Sequence, residues 1–222
     1  MSTSSFLYRI TSFRHVVDLF DTKELYLASP ASWDDPYERI LKHQRSDRFF
    51  AQCWCKKSVS DAMWRIYSQD RTGIRIRTTK QKLFKSLRSF KEIREIGWLV
   101  KDVRYASARK INKEISKIAD ELRVNYTARR AADALLIKRD AFDHESEVRI
   151  VVDDRRADNT LVLDSLRVPV DPHDLIENVF FDPRVDPTFE RVCTHFLKTK
   201  LKYRGSIGRS SLYKDRDSLV VE

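Results

Sequence analysis

The segment Glu145-Ser-Glu147-Val-Arg149-Ile-Val-Val152 constrains this chain more than any other. Its second half is an apolar run that reads as a buried strand over about 146–152. At the mouth of that run stand two carboxylates spaced i, i+2. In an extended chain, side chains two apart point to the same side, so Glu145 and Glu147 are expected to share one face. Two like charges on one face repel unless something uses them. The pair is therefore the leading candidate for catalytic residues.

The remaining elements are short and mixed. Phe6–Ile10 reads as a strand, with Thr11 or Ser12 capping a helix that aligns Phe13, Val16, Val17 and Phe20. Glu24–Ala28 is a second strand, closed by Ser29-Pro30. Residues 31–37, with Trp33, Asp34, Asp35, Pro36 and Tyr37, combine turn formers with aromatics and mark a candidate functional loop or an Asp-capped turn. Phe49–Cys55 is a strand, and Ser60 caps a helix to Tyr67. Gly73–Arg77 alternates apolar and basic residues, as a half-exposed strand would. A basic helix over 79–94, a strand over 97–105 and a strongly helical stretch over 107–138 follow, the last with Ile111, Ile115, Ile118 and Leu122 in one stripe. Further strands are expected at 161–170 and 178–181, a helix at 187–198, and an exposed tail ending in a short strand. Strands scattered among helices without regular alternation favour an α+β fold with a mostly antiparallel sheet. A length of 222 residues fits a single domain spanning 1–222, with 79–138 as a basic helical insertion.

The net charge of +10 is concentrated. Residues 71–140 hold 20 Lys/Arg against 8 Asp/Glu, so the whole basic excess lies there. That asymmetry suggests a polyanion, nucleic acid (RNA or DNA) first, with a solvated helical face as the other reading. No stretch approaches eighteen apolar residues, so no membrane partner is expected, and no signal peptide is recognised. A cytoplasmic location is the expectation. Three cysteines, Cys53, Cys55 and Cys193, do not form a disulfide framework, and Cys53-Trp-Cys55 lacks the further ligands of a zinc site. No metal is predicted.

A carboxylate on a strand edge can stabilise a sugar cation or orient a ribose hydroxyl. A second one nearby can take the proton of an incoming nucleophile. The pair suits cleavage of an N-glycosidic bond with transfer of the ribosyl group. Such a site needs a cation for phosphates, for which Arg9 is the candidate, and an aromatic for a planar leaving group, drawn from Trp33, Tyr26, Tyr37 and Tyr67. No phosphate-cradling glycine loop and no serine-nucleophile elbow is present. A metal-independent nuclease using His144 with the acidic pair, and a non-enzymatic nucleic-acid-binding module, are the alternatives.

The order of motifs is also familiar. Leu7-Tyr-Arg9, Leu25-Tyr-Leu-Ala-Ser29-Pro30, Trp33-Asp-Asp35-Pro36-Tyr37, Met63-Trp64 with Tyr67, Gly73-Ile and Glu145-x-Glu147-x-Arg149 recur as a set. Together they make the chain resemble the bacterial domain of unknown function 2971 family from residue 7 to about 185. Lys138 fits that pattern as well. Asp34 replaces the usual asparagine, and Phe142 and His144 replace other aromatics. More distantly, the chain is similar to ADP-ribosyltransferases of the arginine–serine–glutamate type, including toxins that modify nucleic acid. That resemblance implies a split sheet with NAD as substrate in the cleft, in a toxin or phage-defence setting. It implies that Arg9 holds phosphate or ribose, that Ser29 braces the site, that Glu147 bonds the nicotinamide ribose and that Glu145 orients the acceptor.

Overall fold

The computed structural model describes residues 6–58, 60–156 and 163–214. The first strand, β1 (Phe6–Thr11), leads into α1 (Phe13–Thr22), whose first turn is capped by the Ser12 hydroxyl accepting from the His15 amide. β2 (Glu24–Ala28) ends at two 3-10 turns, Pro30–Ser32 and Pro36–Arg39. β3 (Phe49–Cys55) is followed by the Ser60-capped α2 (Asp61–Tyr67) and by β4 (Ile74–Thr79). Then come α3 (Lys80–Ile93), β5 (Ile96–Asp102), β6 (Arg104–Ala106), α4 (Ala108–Val124), α5 (Ala128–Ala134) and β7 (Ile137–Arg139). A 3-10 turn, Asp140–Glu145, precedes β8 (Glu147–Asp154). β9 (Ser165–Pro169), α6 (Pro172–Leu175), β10 (Asn178–Phe181), α7 (Pro187–Thr199) and β11 (Ser206–Arg209) complete the order. The fold is α+β with a mostly antiparallel sheet, as expected.

The main sheet runs β11-β10-β4-β1-β3-β2-β9, with β8 also beside β3 and β5 beyond β8. β10 and β11 pair in parallel and the other pairs of this sheet are antiparallel. β3 is the junction. It pairs with β8 along its whole length, from Phe49↔Asp153 to Cys55↔Glu147. It meets β1 at Tyr8↔Cys55 and β2 at Ala28↔Ala51. Side chains bridge where the strands part: Arg9 Nη1 donates to the Cys53 carbonyl (2.6 Å) and Gln52 Nε2 to that of Tyr26 (2.7 Å).

β8 is buried on both faces, which is why its sequence reads as an apolar run. Val148, Ile150 and Val152 join Leu7, Leu27, Phe50 and Trp54 in the main core, closed by Leu83 and Leu87 of α3 and Leu197 of α7. Burying each such side chain stabilises the fold by about 1.5–3 kcal/mol. On the other face Val151 packs with Phe49 and Ala51 against Ala131 and Ala132 of α5. The stripe Ile111, Ile115, Ile118 of α4 covers Ala134 and Ile137, with Leu122 alongside.

Three local expectations are corrected. The helical stretch 107–138 stops at Asn125, restarts at Ala128 and gives way to β7, which pairs in parallel with β6. The strand at 74–79 is buried rather than half-exposed, because β10 covers its second edge. The strand expected from Leu161 is seen as Ser165–Pro169, and its first residues, Leu161 and Val162, lie outside the described residues. Within 79–138, α3 and β5 belong to the main core and sheet, whereas α4, α5, β6 and β7 form a smaller cluster over β8.

Candidate active site

The acidic pair converges, but not by strand alternation. Glu145 ends the 3-10 turn, and Ser146 takes a left-handed conformation (φ 46°) before β8 begins at Glu147. That turn brings both carboxylates onto one ammonium. Lys138 Nζ of β7 donates to Glu147 Oε1 at 2.6 Å and is also bonded to Glu145 Oε2. Arg149, two residues along β8, donates through Nε to Glu147 Oε2 (2.6 Å) and pairs through Nη2 with Glu38. The Tyr67 hydroxyl donates to Glu145 Oε1 (3.0 Å), and the Glu147 amide donates to the Tyr105 hydroxyl (2.8 Å). Lys138, Arg149, Glu38, Glu145 and Glu147 are all buried.

Three carboxylates thus face two cations in a poorly solvated cluster, so one carboxyl is pressed to keep its proton. Burial raises both Glu38 and Glu145 above the ordinary carboxylate value. Burial and the neighbouring Glu147 raise Glu145 to about 7, against the pull of Lys138. Burial also acts to raise Glu147, but Glu145, Arg149 and Lys138 outweigh it and hold Glu147 far below the usual carboxylate range. Two glutamates two residues apart are therefore split into one ionised and one that titrates near neutrality, the separation that acid–base chemistry uses. Burial pushes the Cys53 thiol up to about 12, Glu147 adding to the effect, so it is no thiolate nucleophile at neutral pH.

One cleft collects Arg9, Tyr67, Glu145 and Glu147 with Tyr8, Cys53, Lys57, Trp64 and Arg75. Burial pulls the Arg9 guanidinium down from its ordinary value, and Cys53, Tyr67 and Glu147 act against it. Arg9 and Glu147 thus feel each other across the junction between β1 and β3.

The other candidate residues lie elsewhere. Ser29 caps the first 3-10 turn, and with Tyr37 it lines a second cavity. Tyr37 lies under the Arg139 guanidinium (4.9 Å), and the Trp33 ring lies against Arg149 (4.4 Å). The loop at 33–37 is thus a clamp on the cations behind the acidic pair: Asp35 bonds Arg139, Trp33 covers Arg149, and Glu38 just beyond pairs with Arg149. Tyr26 lines a groove on β2 with Arg9 and Gln52. His144 is absent from the residues lining the cleft, and its carbonyl accepts from Lys57 Nζ (3.3 Å). Residue reasoning missed Glu38, Tyr105 and Arg75. Glu38 carries a weak signal, as a carboxylate next to the Asp35-Pro36-Tyr37 turn, while Tyr105 and Arg75 depend on strand pairing that is invisible locally. Among the described residues no helix is long and apolar enough to cross a membrane.

No curated protein sequence matches this chain. Among solved structures, the chain is similar to Thermus sp. 2.9 DarT in complex with NAD+ (12% identity, TM-score 0.46, 94% of this chain and 96% of that one). The same protein in complex with ADP-ribosylated ssDNA aligns at 11% identity and TM-score 0.46, over 93% and 94% of the two chains. A family model described as a protein of unknown function (DUF2971) matches residues 63–150, so the family resemblance holds over a stretch that includes Tyr67, Lys138, Glu145 and Glu147.

Proposed function

We propose that the chain is an NAD-dependent ADP-ribosyltransferase acting on nucleic acid, with Glu147 and Glu145 as its catalytic pair. The observation that carries this reading is the convergence of Glu145, Glu147, Arg9 and Tyr67 on one cleft, with Lys138 and Arg149 fixing the carboxylates. The cleft fits the substrate's chemistry. It offers guanidinium groups for phosphates, the Tyr67 ring for a planar base, and a fixed carboxylate for a ribose hydroxyl.

In this mechanism Glu147 accepts a hydrogen bond from the ribose and stabilises the positive charge that develops on the sugar as the bond to nicotinamide breaks. Nicotinamide leaves with the bonding pair. The acceptor's lone pair closes on the anomeric carbon, and Glu145 takes the proton that the acceptor gives up. Lys138 and Arg149 position both carboxylates, and Tyr67 orients Glu145. The exposed cations of α4 and α5, among them Arg109, Lys110, Lys113 and Arg129, are the surface we assign to the acceptor strand. The resemblance to nucleic-acid-modifying toxins extends the reading to a toxin or phage-defence effector.

Incubation with adenine-labelled NAD and single-stranded RNA or DNA tests this. Label should appear on the nucleic acid together with one free nicotinamide per transfer. Cleavage of the strand without NAD, or binding without nicotinamide release, would reject it.

A further inference from the structure

Arg75 stands apart from the other charges of the cleft. It lies on β4 opposite Ile10 of β1 and Phe180 of β10, and is 6% exposed. Its Nε and Nη1 have no hydrogen-bond partner. The guanidinium lies 5.2 Å from the Tyr8 ring and 5.1 Å from that of Phe180. These rings attract the cation and fix its position, but their faces leave its in-plane donors unanswered. Each neighbouring charge, by contrast, is engaged. Arg9 donates to the Cys53 carbonyl, Lys138 and Arg149 take the glutamates, and Arg77 pairs with Glu177. A buried, unpaired guanidinium opposes folding unless a ligand repays it.

We propose that Arg75 is an anion anchor that holds the diphosphate of a nucleotide entering the cleft. A planar guanidinium matches phosphate oxygens, and Lys57 lines the same cleft. A phosphodiester of a nucleic-acid strand offers the same chemistry. Arg75 lines the same cleft as Glu145 and Glu147, which favours the diphosphate of a nucleotide over a phosphate of the strand. That the nucleotide is NAD rests on the proposed transferase reading; the anion site does not.

Calorimetry and thermal unfolding with inorganic pyrophosphate, ADP-ribose and a short single-stranded oligonucleotide test the site in wild type, Arg75→Met and Arg75→Lys. Pyrophosphate and ADP-ribose should bind wild type, and each substitution should weaken both by about tenfold or more, while oligonucleotide affinity holds. Unliganded Arg75→Met should unfold no lower than wild type, since a charge that lacks acceptors has been removed. A merely structural arginine would give a lower Tm with unchanged pyrophosphate affinity. Equal pyrophosphate affinity in Arg75→Lys overturns the proposal even where the methionine variant does not fold. So does a wild type that binds no pyrophosphate, or an effect confined to the oligonucleotide. Arg75-dependent pyrophosphate binding with no nicotinamide release would end the transferase reading and leave this site standing.

Discussion

At the scale of single residues, five buried ionisable groups share too few counter-charges. Glu145 holds its proton to about 7, so the catalytic rate should rise with pH to a plateau above that value. In Glu145→Gln the limb should vanish along with most of the rate; a limb that persists would place the titrating group elsewhere. The same shift affects stability, with a definite sign. The folded protein binds the Glu145 proton more tightly than the unfolded chain, whose value is near 4.5. That contribution is full below the unfolded value and is lost as pH rises toward about 7. Glu147 is opposite: its stabilisation is present above the unfolded value and is lost as pH falls. Thermal unfolding across this range should therefore show Tm declining between roughly pH 5 and 8 in wild type and a flatter profile in Glu145→Gln. Lys138→Met leaves two carboxylates facing each other without their shared cation. It should cost about 3–5 kcal/mol, read as a lower urea midpoint, as for other buried pairs that lose one partner. A midpoint within error of wild type would show that Lys138 is not the counter-charge described.

At the scale of elements, the site depends on where short segments end. α2 delivers Tyr67 to Glu145, and its last turn runs against β4 at Ser68 and Gly73. A Cβ on Gly73 would lie 2.5 Å from the Ser68 Cβ, so the two segments approach this closely only with glycine there. Gly73→Ala should destabilise the protein by about 1–3 kcal/mol and weaken the hydrogen bond that Tyr67 donates to Glu145, seen as an upward shift of the pH limb. An unchanged Tm would contradict that packing. The elements themselves were largely legible. The Ser12 and Ser60 caps, the β3 run and the α4 stripe rest on local spacing, and the structure keeps them. What was not legible is what tertiary pairing decides. β7 is three residues long and exists because β6 lies beside it. Glu145 looks like a strand residue by spacing, yet a left-handed Ser146 separates it from β8. Arg75 alternates like a surface residue and is buried because β10 adds a further strand.

At the scale of the whole molecule, the junction at β3 places the cleft where two parts of the sheet diverge, and the helices over β8, α4 and α5, carry seven Lys/Arg against four Asp/Glu. If those helices hold the acceptor, nucleic-acid affinity should fall steeply with salt. Glu147→Gln should leave affinity and its salt slope unchanged, as measured by fluorescence anisotropy. A loss of binding in that variant would mean that the carboxylate acts through the fold and not through chemistry. The motif order pointed to a site at the acidic pair with Arg9, and the geometry unites these with Tyr67. It sends Trp33 and Tyr37 to a supporting role, because a stacked guanidinium occupies each ring.

The most direct test is transfer of adenine label from NAD to single-stranded nucleic acid by wild type and Glu147→Gln, at NAD concentrations that saturate both. We predict label transfer with stoichiometric nicotinamide release in wild type, and a loss of about 10²–10⁴-fold in the variant. No transfer by wild type, or transfer that survives Glu147→Gln, would contradict the account.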